Sequence, residues 1–121
     1  MGRNQQRKGA DGERELTLLL QGKGFRTRRG GSLTYGTVPD IVGLPGIHIE
    51  VKRREQLNLP GAIRQAKTDA ARFRDGIPAV FHRSNRGPWI VSMGLEEWLV
   101  LYCKAESDFS GQNRTKGGEG G

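Results

Sequence analysis

The sequence predicts an α/β fold in which a mixed β-sheet packs against helices. Three observations support this fold class: a helix-spaced apolar stripe near the N-terminus, alternating residues on both sides of Pro45-Gly46, and a second helix-spaced stripe followed by two strand-like runs. In chain order the elements are helix, strand, a two-stranded hairpin, helix, strand, strand and helix, or α-β-β-β-α-β-β-α. At 121 residues, the chain is long enough for one modest core, so we expect a single domain.

Each element is predicted from its residue pattern and from the Gly, Pro and polar residues that bound it. The helices are predicted over residues 10–21, 60–74 and 95–102. The strands are predicted over residues 25–29, 38–44, 46–52, 77–82 and 88–93.

Apolar stripes define the buried faces of the first two helices. The first helix has acidic residues in its first turn and the stripe Leu16, Leu19 and Leu20. The second helix has an apolar stripe and, largely off it, a basic face. The stripe consists of Ile63, Ala66, Ala70 and Phe73, and the basic face of Arg64, Lys67, Arg72 and Arg74. Trp89 and Trp98 lie in apolar runs, so we expect both in the core.

The two ends of the chain differ in composition from the part between them. Residues 1–8 are polar, and the Gly-rich ending lacks the apolar content to pack, so we predict a flexible segment 1–8, a folded domain 9–103 and a disordered tail 104–121. The N-terminus does not resemble a signal peptide, and no apolar run approaches the length of a membrane span. We therefore expect a cytoplasmic protein with no membrane association.

The charge balance indicates the class of partner. The net charge is +7 and the pI is about 10.2, and the basic excess falls within residues 1–103. Clustered Lys and Arg bind polyanions through phosphate contacts, so nucleic acid is the expected partner. A basic surface that only aids solubility is the alternative. One cysteine and two histidines exclude an internal disulfide and a Cys/His zinc cluster.

The predicted hairpin places two carboxylates close together. If it folds symmetrically about Pro45, residues whose numbers sum to 90 lie opposite each other, which pairs Asp40 with Glu50. Alternation then puts Lys52 on the same face as both acids. Two close carboxylates repel unless a proton or cation lies between them, and oxygen ligands suit Mg²⁺ or Mn²⁺. The alternative is an exposed, charged hairpin, because a register slip of one residue would break the pairing.

Two further residues near this hairpin are candidates for a role. Glu13 lies nearer the leucine stripe of the first helix than Glu15 does, so it is expected to point into the same cleft as Asp40 and Glu50. Asp11 and Glu15 are interpreted as complementing the helix dipole. His48 shares the face of Glu50, but a lone strand histidine is more often a satisfied structural residue, so it is left out of the site.

The motifs Glu13-Arg14-Glu15, Pro39-Asp40 and Glu50-Val51-Lys52 resemble those of the PD-(D/E)XK nuclease superfamily. The resemblance is closest to small archaeal-type Holliday junction resolvases and similar phage-encoded nucleases, and it covers residues 8–101. It implies a restriction-endonuclease-like core. It also implies that Asp40, Glu50 and the Val51 carbonyl bind the metal, that Glu13 holds or tunes it, and that Lys52 is the catalytic lysine.

The same resemblance implies a DNA-binding surface and a homodimer. The residues assigned to DNA binding are Arg14, Arg28, Arg29, Arg53 and Gln65, with either Arg28 or Arg29 matching the resolvase arginine. Gln65 is nearly as readily interpreted as a solvated helix residue. The segments 32–38 and 53–60 depart from the resolvase pattern and flank the cleft.

Together these features predict a Mg²⁺-dependent DNA endonuclease selective for branched DNA, such as the four-way junctions of recombination and repair. Phosphate contacts would position it without reading sequence. The alternative is a nucleic-acid-binding or assembly module on a nuclease-derived fold without chemistry. The presence of all three acids and the lysine favours catalysis.

Overall fold

A computed structural model describes the backbone of residues 2–30 and 38–117, and the side chains of residues 10–30 and 38–111. The element order in this part of the chain is the predicted one, and the α/β fold class is confirmed. The helices are α1 (Gly2–Gly22), α2 (Leu59–Phe73) and α3 (Leu95–Gly117). The strands are β1 (Arg28–Arg29), β2 (Ile41–Val42), β3 (Ile47–Arg53), β4 (Ile77–Arg83) and β5 (Ile90–Ser92).

The strands form one mixed sheet in the order β1-β2-β3-β4-β5. Only β3 and β4 are parallel among the described strand pairs, and α2 makes the crossover between them. The helices α1 and α2 pack on opposite faces because successive side chains of β3 and β4 point to opposite sides. Leu16 of α1 packs with Ile49 and Phe81, whereas Ala62 and Ala66 of α2 pack with Val80.

The hairpin turns where the sequence predicted. The Ile47 amide donates to the Leu44 carbonyl over 3.0 Å, and Gly46 has a φ of 87°, which glycine adopts readily after proline in this kind of turn. Ile41 lies opposite Ile49, so the predicted register is confirmed. The strand β2, however, begins one residue after Asp40.

The helix α1 begins at Gly2, eight residues before the predicted start at Ala10. Residues 3–8 are Arg, Asn, Gln and Lys, most of which tolerate a helix well, so the helix extends through them. Its first turn therefore contains no acidic residue, and the dipole interpretation of Asp11 and Glu15 was wrong. Asp11 pairs with Arg14, and Glu15 accepts hydrogen bonds from Arg83 and Trp89.

The buried face of α1 differs in one residue from the predicted stripe. Leu16 is buried and Leu20 packs against the core, but Leu19 is 40% exposed. Gly12 lies close to β3, where an added Cβ would lie 3.1 Å from the Arg53 Cβ. The face that meets the sheet therefore runs through Gly12, Leu16 and Leu20 at four-residue spacing, which places Glu13 at its border.

The helix α3 begins at Leu95 as predicted but continues to Gly117. Lys104, Ala105 and Glu106 are strong helix formers, so the helix has no reason to end at Tyr102. Trp98 is 46% exposed and does not lie in the core, whereas Trp89 packs against it. The domain limits 9–103 and the flexibility of the two ends remain predictions. Of the segment 32–38, only Val38 lies within the described residues.

Candidate active site

Glu50 and Lys52 lie on the face of β3 that meets α2. Glu50 is buried, with 5% of its surface exposed, and the Lys52 ammonium lies 3.8 Å from its Oε2. Val51, between them, packs its side chain against the Leu16 cluster. The alternation predicted from the sequence thus gives one strand a buried acid and a lysine on the same face.

Glu13 and Asp40 form a second carboxylate group, next to Arg29. The Arg29 guanidinium donates to Glu13 Oε1 over 3.3 Å. Burial, and then the nearby negative charge of Asp40, raise the pKa of Glu13 to about 7, and the two carboxyl groups share a hydrogen bond. Such crowding requires either a shared proton or a cation, as expected of an acidic site that binds metal.

The backbone around Gly30 holds Asp40 in place. Asp40 lies in the bend before β2, and its carbonyl accepts a hydrogen bond of 2.8 Å from the Gly30 amide. A Cβ at Gly30 would overlap the Pro39 carbonyl oxygen, so only glycine allows this approach. This backbone contact between Gly30 and Asp40 helps to place the Asp40 carboxylate beside Glu13.

Glu50 belongs to a cluster of possible metal ligands that the sequence reasoning did not predict. Within the described part of the chain, the group of His, Cys, Asp and Glu ligand atoms that lie within 4.8 Å of one another is His48, Glu50 and Asp69. Glu13 and Asp40 are outside that group. The contacts among the predicted site residues form two pairs, Glu13 with Asp40 and Glu50 with Lys52. The metal-binding and catalytic roles assigned to these residues remain predictions.

The sequence reasoning missed the contacts of His48. This side chain is 2% exposed, its Nδ1 lies 2.9 Å from both oxygens of Asp75, and its Nε2 lies 3.2 Å from Glu50 Oε1. Burial alone would lower the pKa of His48, but the hydrogen bonds to Glu50 and Asp75 outweigh it and raise the pKa. Alternation along β3 indicated that His48 shares a face with Glu50, whereas nothing in the sequence pointed to Asp75.

The residues predicted to bind DNA differ in exposure. Arg14, Arg28 and Gln65 are exposed, whereas Arg29 and Arg53 are half-buried. The buried Nε atoms of Arg29 and Arg53 have no hydrogen-bond partner among the described residues. The DNA-binding roles of all five residues remain predictions.

The pKa of Glu13 predicts how stability depends on pH. The folded protein, stripped of divalent metal, holds this proton up to about pH 7, whereas the unfolded chain releases it near the ordinary pKa of 4.5. The folded state thus binds more protons between these values, so this group makes the free energy of unfolding fall as the pH rises through the window.

Glu13→Gln removes that dependence because glutamine does not titrate. Thermal unfolding in the presence of a chelator, at about pH 5 and about pH 8, is expected to show a smaller fall in Tm for the variant than for the wild type. Equal falls in Tm would show that Glu13 does not carry the proton.

Comparisons with known proteins give a matching family model and similar solved structures. The family model of the archaeal Holliday junction resolvase (Hjc) matches residues 4–90. No curated protein matches the sequence. The structure of Hjc from Archaeoglobus fulgidus, a Holliday junction resolvase from an archaeal hyperthermophile, is similar, with 31% sequence identity and a TM-score of 0.51. The match covers 69% of this chain and 70% of that one. No helix in the described residues is both long and apolar enough to cross a membrane.

Proposed function

Because this chain belongs to the archaeal Holliday junction resolvase family, we propose that it is a metal-dependent endonuclease that cuts four-way DNA junctions. Membership of that family makes the chain a resolvase-like nuclease of the PD-(D/E)XK type. The observation that carries the proposed chemistry is the buried Glu50 with the Lys52 ammonium beside it, because an acid and a lysine at this spacing serve phosphodiester hydrolysis.

The donor set fits a hard divalent cation, Mg²⁺ or Mn²⁺. Asp40, Glu50 and the Val51 carbonyl offer oxygen ligands, and Glu13 adds a carboxyl whose pKa is raised by burial and by Asp40. When bound, such an ion lowers the pKa of a water molecule and offsets negative charge on a phosphate. The crowding of Glu13 and Asp40 supports the fit, since a cation would relieve it.

Lys52 is proposed to act on the reacting phosphate. Its side chain is only 14% exposed and is held near Glu50, so its charge acts where water screens it little. From there it orients the attacking water and stabilises the charge that develops on the phosphate oxygens. Arg14, Arg28, Arg29, Arg53 and Gln65 are proposed to contact the DNA backbone, supported by the net charge of +7.

The proposed substrate is a four-way junction, an intermediate of recombination and repair, and the proposed location of the protein is the cytoplasm. The similar A. fulgidus protein is a Holliday junction resolvase, which supports this choice of substrate. The alternative, a binding module without chemistry, predicts junction binding with no cutting under any metal.

We also propose a homodimer, because two sites would address two strands of one junction. Large apolar side chains are exposed on β5 and α3, which is unusual for a surface that stays in water. They include Ile90, Val91, Leu95, Trp98, Leu99 and Tyr102.

Sedimentation equilibrium is expected to give twice the mass of one chain, and a monomer at micromolar concentration would contradict the proposal of a homodimer.

The test is cleavage of a labelled four-way junction and of a linear duplex with the same arm sequences. The expected result is cutting of the junction with Mg²⁺ or Mn²⁺ and none with EDTA. Equal cutting of both substrates would leave a nuclease without junction selectivity. Tight binding of the junction without cutting in any metal would overturn the enzymatic proposal.

A further inference from the structure

We infer that His48 and Asp75 are positioning residues that hold Glu50 by its Oε1 and leave its Oε2 turned towards Lys52. The inference rests on the proposed function, in which Glu50 binds the metal. It assigns a role to two residues that the motif Glu50-Val51-Lys52 does not include.

The first support is the chain of contacts Asp75–His48–Glu50. Asp75 meets one ring nitrogen of His48 at 2.9 Å, and Glu50 meets the other at 3.2 Å. Each ring nitrogen thus lies within hydrogen-bond distance of one acid, and a ring nitrogen that carries a proton donates to the carboxylate. The ring is therefore fixed from both sides in one orientation.

The second support is burial. His48 and Glu50 are 2% and 5% exposed, so water has little access to the contact between them. A buried polar atom without a partner is costly, and His48 Nε2 is the partner of Glu50 Oε1. Its hold on Oε1 fixes the rotation of the carboxylate, and Oε2 then lies on the side of Lys52, 3.8 Å from its Nζ.

The third support is the rigid turn that carries Asp75. On one side, Arg74 ends α2 in the left-handed conformation with a φ of 52°, and its amide donates to Ala70. On the other side, Gly76 has a φ of 131° and packs against Gly46, and the Ile77 amide donates to the Gly46 carbonyl. The turn between α2 and β4 is thus tied to the hairpin turn, and Asp75 is held at a fixed distance from β3.

This arrangement matches the way proteins orient metal-binding groups through a second layer of hydrogen bonds. Loss of such a partner typically weakens metal binding or activity about 10- to 100-fold. Asp75 acts on Glu50 only through His48. Removing Asp75 should therefore have no further effect in a variant whose residue 48 no longer links the two acids.

The experiment measures Mn²⁺ affinity directly, from the electron paramagnetic resonance signal of free Mn²⁺, alongside junction cleavage across a range of Mn²⁺ concentrations. Asp75→Ala is expected to weaken Mn²⁺ binding about tenfold and to raise the Mn²⁺ needed for half-maximal cleavage by a similar factor. His48→Gln, which keeps an amide donor near the place of Nε2, should retain more affinity than His48→Ala. Adding Asp75→Ala to His48→Gln should change the affinity little.

Glu97→Ala is the matched control. Its carboxylate is 20% exposed, close to the 23% of Asp75, and it pairs with Lys67 rather than with a residue in contact with Glu50. This variant should bind Mn²⁺ as the wild type does. Thermal unfolding of each variant distinguishes a loss of Mn²⁺ affinity from a loss of folded structure. Because Asp75 is partly exposed, Asp75→Ala is the variant most expected to fold.

The outcomes separate the inference from the proposed function. Unchanged Mn²⁺ affinity in Asp75→Ala, or equal effects of Asp75→Ala with and without His48→Gln, would overturn the inference alone. A wild type that binds Mn²⁺ but cuts no DNA would overturn the proposed function alone. A wild type that does not bind Mn²⁺ would overturn both.

Discussion

Replacing Lys52 with methionine is expected to lower the single-turnover rate of junction cleavage about 10²- to 10³-fold. Methionine keeps much of the length of the side chain in its half-buried position but removes the charge beside Glu50. Junction binding, measured with Ca²⁺ in place of Mg²⁺, is expected to change little, because one phosphate contact among many is lost. The variant thus separates chemistry from binding.

Lys67→Met is the control for this variant. Lys67 is 48% exposed, and its ammonium lies 3.6 Å from the Glu97 carboxylate. The substitution therefore removes one positive charge, as Lys52→Met does, but from the surface of α2. Its cleavage rate should stay near that of the wild type. Cleavage by Lys52→Met at the wild-type rate would rule out the proposed role of Lys52.

Leu16→Ala is expected to cost about 3 kcal/mol in the free energy of unfolding, which is a large part of the stability of a small domain. Leu16 is 1% exposed and joins α1 to Ile41, Ile49 and Phe81. Its loss leaves a cavity under α1, one turn from Glu13. Urea unfolding followed by circular dichroism measures the change.

Leu18→Ala, two residues away on the same helix, is the matched control. Leu18 is 61% exposed, so its truncation should cost less than about 0.5 kcal/mol. Similar costs for the two variants would mean that α1 does not pack on the sheet through Leu16.

The sequence predicted those features of the fold that depend on neighbouring residues. Pro45-Gly46 specifies the turn, and alternation specifies which residues face which side, so the hairpin register and the common face of Glu50 and Lys52 were both predictable. The order of helices and strands followed from residue spacing in the same way. The family resemblance was confirmed by the family model and by the similar structure.

The features that were not predicted depend on contacts between distant segments. Asp75 meets His48 only because the crossover through α2 brings residues 27 positions apart together. Leu19 belongs to the same helical stripe as Leu16 in the sequence, yet only the position of the sheet decides which of them is buried. The start of α1 at Gly2 lay in a polar segment where no apolar pattern marks a helix.

The residues of the site lie on elements that are packed by two hydrophobic clusters, one on each face of the sheet. Glu13 depends on the cluster around Leu16, whereas Glu50 faces α2 and the cluster around Val80. A chain in which one cluster has not yet formed, or has opened locally, therefore lacks half of the site. The complete site is therefore expected only in molecules in which both faces of the sheet are packed.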